Sequence, residues 1–200
     1  RRLVGSEMCI RVRLDTDDVI EIFYIEFKPS YNITPSQDVL VYDGKLHYMK
    51  WAYNPYWSKK KLNLINCRIE TMNQKPSFKK AERCVFLLNG WYEWKRENNE
   101  KQPYYFTNYK LFFMGGLKNN NGCCIVTKQA KGELSLIHHR QPVILKFHEI
   151  NNWLTGSHSF QTKIDNEIKI LKVSKKVNNT ANNTKDNICL LYTSDAADDV

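Results

Sequence analysis

The stretch that decides the fold is residues 104–127, YYFTNYKLFFMGGLKNNNGCCIVT. Three runs within it (104–108, 111–117 and 123–127) are rich in tyrosine, phenylalanine, leucine, isoleucine and valine, and short polar segments separate them. Runs of this length and composition, bounded by asparagine, lysine and glycine, are typical of strands joined by turns. The stretch therefore predicts consecutive strands of an antiparallel sheet.

The flanking sequence extends this pattern in both directions. Further strands are predicted at residues 39–42, 46–51 and 83–88, and the Asp43-Gly44 dipeptide between the first two is a hairpin signal. Apolar residues at helical spacing predict helices over residues 15–24 and 146–154, and the asparagine-rich segment 174–187 is expected to be a surface loop or tail. Together these elements predict one α+β domain with an antiparallel, barrel-like β core and a few short helices.

Composition narrows the class of protein. The chain has 200 residues, of which 42% are hydrophobic and 26% are charged, so it has enough apolar residues for a core and is not a disordered chain, a collagen or a coiled coil. Its longest apolar runs fall far short of the roughly 20 residues that span a bilayer. No secretory signal follows the first residues. We therefore expect a soluble, cytoplasmic protein that does not associate with membranes.

Charge and cysteine content bear on partners and cofactors. The net charge of +9 favours polyanions such as nucleic acids, although a surplus of lysine that only solvates the surface explains the charge equally well. The six cysteines form no C-x-x-C pair, and no histidine stands at ligand spacing from any of them. We expect reduced thiols that are mostly buried, no metal site and no small-molecule cofactor.

The two ends of the chain look foreign. Residues 3–11 (LVGSEMCIR) and 189–199 (CLLYTSDAADD) resemble translations of a transposon-type sequencing adapter read from opposite strands. We therefore expect residues 1–8 and 189–200 to be non-native or disordered flanks around a domain at 9–188. Met8 and Cys9 fall within the first of these stretches, so the sequence leaves open whether they are native.

Short motifs dense in polar and aromatic residues run through most of the chain. They are MCIR (8–11), YNITPSQ (31–37), WAYNPYW (51–57), INCRIET (65–71), KPSF (75–78), GWYEW (90–94), IHHRQPVIL (137–145) and VSKKVN (173–178). In this order they resemble MCGR, YNIAPSQ, WGLIPSW, INARAET, KPSF, GFYEW, IHDRMPVIL and VSxxVN of the SRAP family, the SOS-response-associated peptidases. The chain departs from the family pattern at Ile10, Tyr53-Asn54, His139 and Gln141.

The resemblance implies an SRAP-like fold and a sensor of abasic sites in single-stranded DNA. Members of the family trap the lesion covalently through an N-terminal cysteine, which implies that Cys9 acts after the residues before it are removed by autoproteolysis. An N-terminal cysteine suits this chemistry, because its amine forms a Schiff base with an aldehyde and its thiol then closes a thiazolidine ring. The implied protein is a cysteine autopeptidase of the DNA damage and SOS response, a bacterial or phage-like monomer that joins the nucleoid when DNA is damaged.

The resemblance also implies roles for single residues. Three residues join Cys9 as catalytic candidates: Glu93 as general acid or base, His138 as proton carrier, and Asn66 as a hydrogen-bonding group for the amine or the sugar. Each also has a structural reading, as a surface strand glutamate, a structural histidine and a strand-end asparagine. Candidates for contact with DNA are two arginines for phosphate, three residues for stacking or wedging bases, and one threonine near the site: Arg11, Arg68, Trp57, Phe78, Pro35 and Thr127.

Two other functions remain open on the sequence. A single-stranded nucleic-acid binding module could keep the same groove without a working N-terminal cysteine. A conventional thiol protease could use Cys9 and His138 on other proteins, although a basic, aromatic-rich site suits nucleic acid better than an extended peptide.

Overall fold

The computed structural model describes residues 11–14, 29–97, 99–156 and 167–188. Within these ranges the chain consists mainly of short strands, with one short α-helix, α1 (Ile150–Leu154). The strands, in chain order, are β1 (Arg11–Leu14), β2 (Ser30–Ile33), β3 (Asp38–Tyr42), β4 (Leu46–Lys50), β5 (Asn66–Arg68), β6 (Glu82–Leu88), β7 (Gly90–Glu97), β8 (Glu100–Thr107), β9 (Phe112–Asn119), β10 (Gly122–Gln129), β11 (Arg140–Pro142), β12 (Ile144–Leu145) and β13 (Lys169–Lys172).

The described strands form two sheets. The smaller has the order β13-β8-β7-β1-β2, and the larger has the order β11-β10-β9-β6-β3-β4, with β12 added to β9 and β5 added to β10. The pairings are antiparallel except for β5, which runs parallel to β10. The α+β prediction with an antiparallel core is confirmed, and the sheets are not closed into a barrel.

The stretch 104–127 forms the centre of this arrangement. It contributes the second half of β8, all of β9 and most of β10, and β9 pairs with β6 on one side and β10 on the other. The β9–β10 hairpin turns at Gly122, whose φ of 128° is in the left-handed region, and a Cβ there would lie 2.5 Å from the carbonyl oxygen of Ala52. Glycine is required at this turn for both reasons.

Apolar side chains cover both faces of the larger sheet. Along β6, Cys84, Phe86 and Leu88 belong to an inter-sheet cluster that also includes residues of the smaller sheet, whereas Val85 and Leu87 pack on the opposite face. Trp153 of α1 lies in that second cluster and donates from Nε1 to the carbonyl of Cys84 over 2.8 Å. Strands buried on both faces have continuous apolar sequences, which explains why the central runs lack alternation.

Other predicted elements have mixed outcomes. The Asp43-Gly44 hairpin joins β3 to β4, with Gly44 at a φ of 108°. The helix predicted over residues 146–154 is present as a 3₁₀ turn, Phe147–Glu149, followed by α1. The helix predicted over residues 15–24 lies outside the described residues. Among the described residues, no helix combines the length and apolar content needed to cross a membrane.

The asparagine-rich segment 174–187 is more ordered than predicted. It forms 3₁₀ turns at Lys175–Asn178 and Lys185–Ile188, and the side chains of Val177 and Asn187 are buried. Asn32 of β2, which is 2% exposed, donates from Nδ2 to the carbonyls of Val177, Asn179 and Asn182 over 3.2, 3.1 and 2.9 Å. The segment lies at the surface with most of its residues exposed, as predicted, but it is a fixed loop, because buried side-chain amides hold it against β2.

Asn32→Ala tests this contact. Removing the amide takes hydrogen bonds from buried carbonyls, and we expect a loss of about 1–3 kcal/mol in the free energy of unfolding. Urea unfolding followed by tryptophan fluorescence measures it. Asn120→Ala, in an exposed turn, is the matched control. Equal stability of the two variants would contradict a holding role for Asn32.

Candidate functional site

Glu93 is the most unusual polar residue that the structure describes. It lies on β7, is 2% exposed, and its Oε1 has no hydrogen-bond partner among the described residues. Side chains alternate along a strand, so Glu93 lies on the same face as Trp91, which belongs to the inter-sheet cluster. Burial raises the pKa of this carboxyl well above its ordinary value, because the apolar surroundings disfavour the charged form. The surroundings of Glu93 therefore favour its protonated, neutral form.

Strand β1 runs beside β7 and begins close to Glu93. Arg11 is paired with Tyr92, Val12 with Trp91 and Arg13 with Gly90. Glu93 follows Tyr92, the partner of Arg11, so it lies next to the first described residue of β1. Cys9 lies outside the described residues, and for Arg11 only the backbone is described.

The INCRIET motif forms the short parallel strand β5. Its residues Asn66, Cys67 and Arg68 pair with Ile125, Val126 and Thr127 of β10. The buried indole of Trp51 fixes the start of the strand by donating from Nε1 to the carbonyl of Ile65 over 2.9 Å. Asn66 is partly buried, Cys67 is buried and Arg68 is exposed. Side chains alternate along a strand, so Asn66 and Arg68 lie on one face of β5 and the buried Cys67 lies on the other.

Thr127 supports this strand from β10. Its side chain is buried, and its hydroxyl donates to the carbonyl of Cys67 over 3.2 Å. Its own carbonyl accepts from the backbone of Ile69 over 2.9 Å. Thr127 thus holds the backbone before and after Arg68 in place. Because its side chain is buried, Thr127 presents no surface to DNA.

His138 follows the 3₁₀ turn Gly132–Leu136 and is half-buried. Its Nδ1 lies 3.1 Å from the backbone nitrogen of Arg140 and 3.2 Å from the Arg140 carbonyl oxygen, so the ring tautomer determines which of the two it binds. Burial lowers the pKa of His138; the nearby charges of His139, whose ring centroid is 4.4 Å away, and of Arg140 lower it further, whereas the hydrogen bond with the Arg140 backbone raises it. The net effect favours the neutral imidazole.

These polar residues surround one apolar cluster. Ile65 precedes Asn66, Ile137 precedes His138, and Tyr104 pairs across the strands with Glu93. All three of these apolar neighbours pack against the inter-sheet cluster. Neighbours of Asn66, Glu93 and His138 therefore pack against one and the same cluster, and a site shared by the three residues stays a prediction.

An ion pair that the motifs alone do not predict joins two of them. The guanidinium of Arg140 binds both carboxylate oxygens of Glu70 over 2.8 Å each, and it donates to the carbonyl of Thr127 over 2.7 Å. The hydrogen bond from Arg140 lowers the pKa of Glu70. Because the backbone of Arg140 also binds His138, this pair positions the histidine relative to β5. The glutamate of INCRIET and the arginine of IHHR were the features of the sequence from which this ion pair could have been predicted.

The YNITPSQ motif contains a tight turn. The backbone N–H of Gln37 donates to the carbonyl of Thr34 over 3.1 Å, and Ser36 has a φ of 73°, as a type II turn with proline in second position requires. Two further backbone bonds, Ser36 N to Trp51 O and Trp51 N to Gln37 O, both 2.9 Å, fasten the turn. Pro35 is held half-exposed at its tip.

The two aromatic candidates for base stacking differ. Trp57 is 50% exposed, with Nε1 donating to the carbonyl of Pro76 over 3.4 Å, so its ring is accessible. Phe78 is only 7% exposed and packs against Tyr53, with ring centroids 5.4 Å apart. We correct the prediction for Phe78, because its ring is enclosed in the core and presents no face to a base.

The cysteines in the described part of the chain are free and buried. Burial raises the pKa of Cys67 to about 12 and also raises the pKa values of the others, so these thiols stay protonated and unreactive. Within the same ranges, no group of three or more His, Cys, Asp or Glu side chains is arranged to hold a metal ion. The groups left for chemistry among the described residues are therefore the carboxyl of Glu93, the imidazole of His138 and exposed cations.

Comparison with known proteins agrees with this architecture. The model of the family described as SOS response associated peptidase (SRAP) matches residues 8–180. The chain is 32% identical over 217 aligned positions to abasic site processing protein YoqW of Bacillus subtilis, covering 88% of this chain and 97% of the relative. It is 28% identical to abasic site processing protein HMCES of Xenopus tropicalis, covering 80% and 65% of the two chains.

Solved structures share the fold. A phage-related protein from Bordetella bronchiseptica superimposes with a TM-score of 0.66 at 22% identity, over 84% of this chain and 95% of its own. A second protein of the same organism gives a TM-score of 0.69 at 17% identity, over 83% and 99%. At these identities the likeness concerns the fold alone.

The raised pKa of Glu93 predicts how stability depends on pH. Between the unfolded pKa of glutamate, about 4.3, and the higher folded pKa, the folded protein binds one proton more than the unfolded chain. Stability therefore falls as the pH rises through this interval, by at most ~1.4 kcal/mol per pH unit.

Glu93→Gln, which resembles the protonated acid, removes this effect. We expect its free energy of unfolding, relative to the native sequence, to increase from about pH 5 to about pH 8. Urea titrations across this range measure the difference, with the exposed Glu133→Gln as control. A difference that stays constant with pH would show that Glu93 is ionised in the folded protein.

Proposed function

Because this chain belongs to the SOS response associated peptidase family, we propose that it processes abasic sites in DNA. In this proposal it binds single-stranded DNA and joins the open-chain sugar of the lesion to Cys9, after the residues before Cys9 have been removed. The observation that carries the proposal is the buried Glu93, whose pKa is raised by burial, one residue beyond Tyr92, the partner of Arg11 on β7. Cys9 precedes Arg11 by two residues, and two extended residues span at most ~7 Å.

The proposed reaction needs no cofactor. The freed amine of Cys9 adds to the sugar aldehyde, and loss of one water gives a Schiff base. The thiol then adds to the imine carbon, its proton passes to the nitrogen, and a thiazolidine ring closes. The net change is one new C–N bond, one new C–S bond and one released water. Autoproteolysis comes first and adds one water across the Met8–Cys9 peptide bond.

Glu93 fits the proton transfers that these steps need. Loss of water from the addition product requires a proton on the departing hydroxyl, and a neutral carboxylic acid supplies it. The resulting carboxylate, stranded in apolar surroundings, takes a proton back readily. In the proposal, Asn66 holds the amine or the sugar hydroxyl, and the Nε2–H of His138 donates to sugar oxygens during ring opening.

Surface residues support binding of the strand itself. Arg68 is exposed on β5 and is assigned to a phosphate, as is Arg11 on β1. Trp57 offers an accessible ring for stacking, and Pro35 stands at the tip of its turn as a wedge. Thr127 acts indirectly, by holding the backbone on either side of Arg68. The net charge of +9 adds attraction of longer range.

The covalent step is tested with single-stranded DNA that carries one abasic site. We expect a heat-stable shifted band on a denaturing gel with the processed protein, and no such band with Cys9→Ser. Cys189→Ser is the thiol control. Glu93→Gln should slow the appearance of the band by about a hundredfold or more, with affinity for an undamaged strand unchanged.

The other outcomes of this assay identify the alternatives. Salt-sensitive binding without the band would indicate a non-covalent single-stranded nucleic-acid module. Cleavage of a casein-like substrate without DNA would indicate a thiol protease. An equal loss of crosslinking and of affinity in Glu93→Gln would show that Glu93 is structural.

The assignment of Arg68 to a phosphate predicts a salt effect. Arg68→Ala should weaken binding to an undamaged single strand and reduce the slope of log K against log salt by ~0.7, the value for one phosphate of single-stranded DNA. Fluorescence anisotropy at several salt concentrations measures the slope. Arg96→Ala, an exposed arginine at the far end of β7, should leave it unchanged. Identical slopes for all three proteins would remove Arg68 from the interface.

A further inference from the structure

Two large aromatic rings stand side by side at the tip of one turn. The backbone N–H of Ser58 donates to the carbonyl of Pro55 over 3.1 Å, which puts Tyr56 and Trp57 at the two central positions of the turn. Tyr56 is 59% exposed and Trp57 is 50% exposed, while Pro55 beneath them is buried. Adjacent exposed rings of this size are unusual on a protein surface and indicate a binding role.

Neighbouring residues hold both rings in place. The ammonium of Lys80 lies 4.6 Å from the centroid of the Tyr56 ring, at cation–π distance, and the Trp57 indole donates to the carbonyl of Pro76. The segment that carries both partners is fixed in turn, because the hydroxyl of Tyr53 donates to the carbonyl of Ser77 over 3.0 Å. Lys80 covers one face of the Tyr56 ring and leaves the other for a ligand.

The surroundings of the two rings are cationic. No acidic residue occurs between residues 51 and 69 or between residues 71 and 81. Exposed lysines flank the rings on both segments: Lys59, Lys60, Lys61, Lys75, Lys79 and Lys80. Stacking rings amid lysines match a single nucleic-acid strand, which offers flat bases and a phosphate for every nucleotide.

The turn also lies close to the strand that carries Asn66 and Arg68. Asn54 and Asn63 close the loop that contains the turn, since the backbone of Asn63 donates to Oδ1 of Asn54 over 2.9 Å. Immediately beyond this closure, Leu64 and Tyr53 form a β-bridge, and β5 begins two residues later. The turn and Arg68 thus belong to one continuous segment, with the Tyr53–Leu64 bridge between them.

We propose that Tyr56 is a second stacking platform beside Trp57, which binds a base next to the lesion while Lys80 closes the opposite face of the ring. This inference rests on the proposed function and extends it to one more nucleotide. The family motif WGLIPSW has serine where Tyr56 stands in this chain. Tyr56 would determine the length of strand that is bound and would take no part in the chemical step.

The test compares Tyr56→Ser with Tyr56→Phe on undamaged single-stranded DNA. Loss of the ring should weaken binding about tenfold, within the range for one stacked base, and the phenylalanine variant should bind within about twofold of the native chain. The salt slope should not change, because no phosphate contact is lost. Tyr109→Ser, which removes an exposed tyrosine between β8 and β9, is the control.

A 2-aminopurine base moved along the strand reports stacking directly. At one position its fluorescence should be quenched by the native protein and by Tyr56→Phe, and should be brighter with Tyr56→Ser.

Three outcomes would overturn the inference. Tyr56→Ser could keep the affinity and the quenching of the native chain, Tyr109→Ser could lose as much affinity as Tyr56→Ser, or the native chain could fail to bind single strands. If the native chain crosslinks an abasic strand while Tyr56→Ser binds normally, the inference fails and the proposed function stands. If the native chain forms no crosslink but Tyr56→Ser loses affinity and quenching, the stacking platform stands and the covalent mechanism fails.

Discussion

The site depends on the contact between the two sheets. Trp91 and Phe106 of the smaller sheet pack with Phe86 and Met114 of the larger one in a single cluster, and neighbours of Asn66, Glu93 and His138 pack against it. Burial disfavours charged forms, so the pKa of the Glu93 carboxyl rises and that of the His138 imidazole falls. Both shifts favour the neutral form of the side chain, and disruption of the sheet contact would reduce them.

Positively charged side chains, in contrast, lie at the protein surface. Arg68 and the lysines of the 59–61 and 79–80 runs are exposed, where water solvates them at little cost. Arg140 is a cation close to the polar residues, and its charge is neutralised by a two-point ion pair with Glu70. Positive charge therefore attracts phosphate at the surface, while the residues suited to proton transfer keep their neutral forms. Both requirements are met within a few residues of β5.

The sequence predicted the central strands and the motif residues, because long apolar runs and short motifs are local signals. It did not predict β5, since three residues in a parallel pairing carry no periodic pattern, nor the order of segment 174–187, whose polar composition is typical of a loop. That segment is ordered by Asn32, a residue far from it in sequence. The prediction for Phe78 failed for a related reason: the motif identified an aromatic residue but did not say which face of the chain it occupies.

Two of the departures from the family motif act on the same surface. The side chain at position 53 is buried, and a leucine there could pack but could not bind a carbonyl, whereas the Tyr53 hydroxyl donates to Ser77. That bond holds the segment 76–80 in place. Within this segment, Pro76 accepts a hydrogen bond from Trp57 and Lys80 lies over the ring of Tyr56. An exposed ring contributes to binding only if little conformational freedom is lost when a base stacks on it. The buried substitution therefore provides the rigidity that the exposed Tyr56 needs, and we interpret the two as parts of one binding surface.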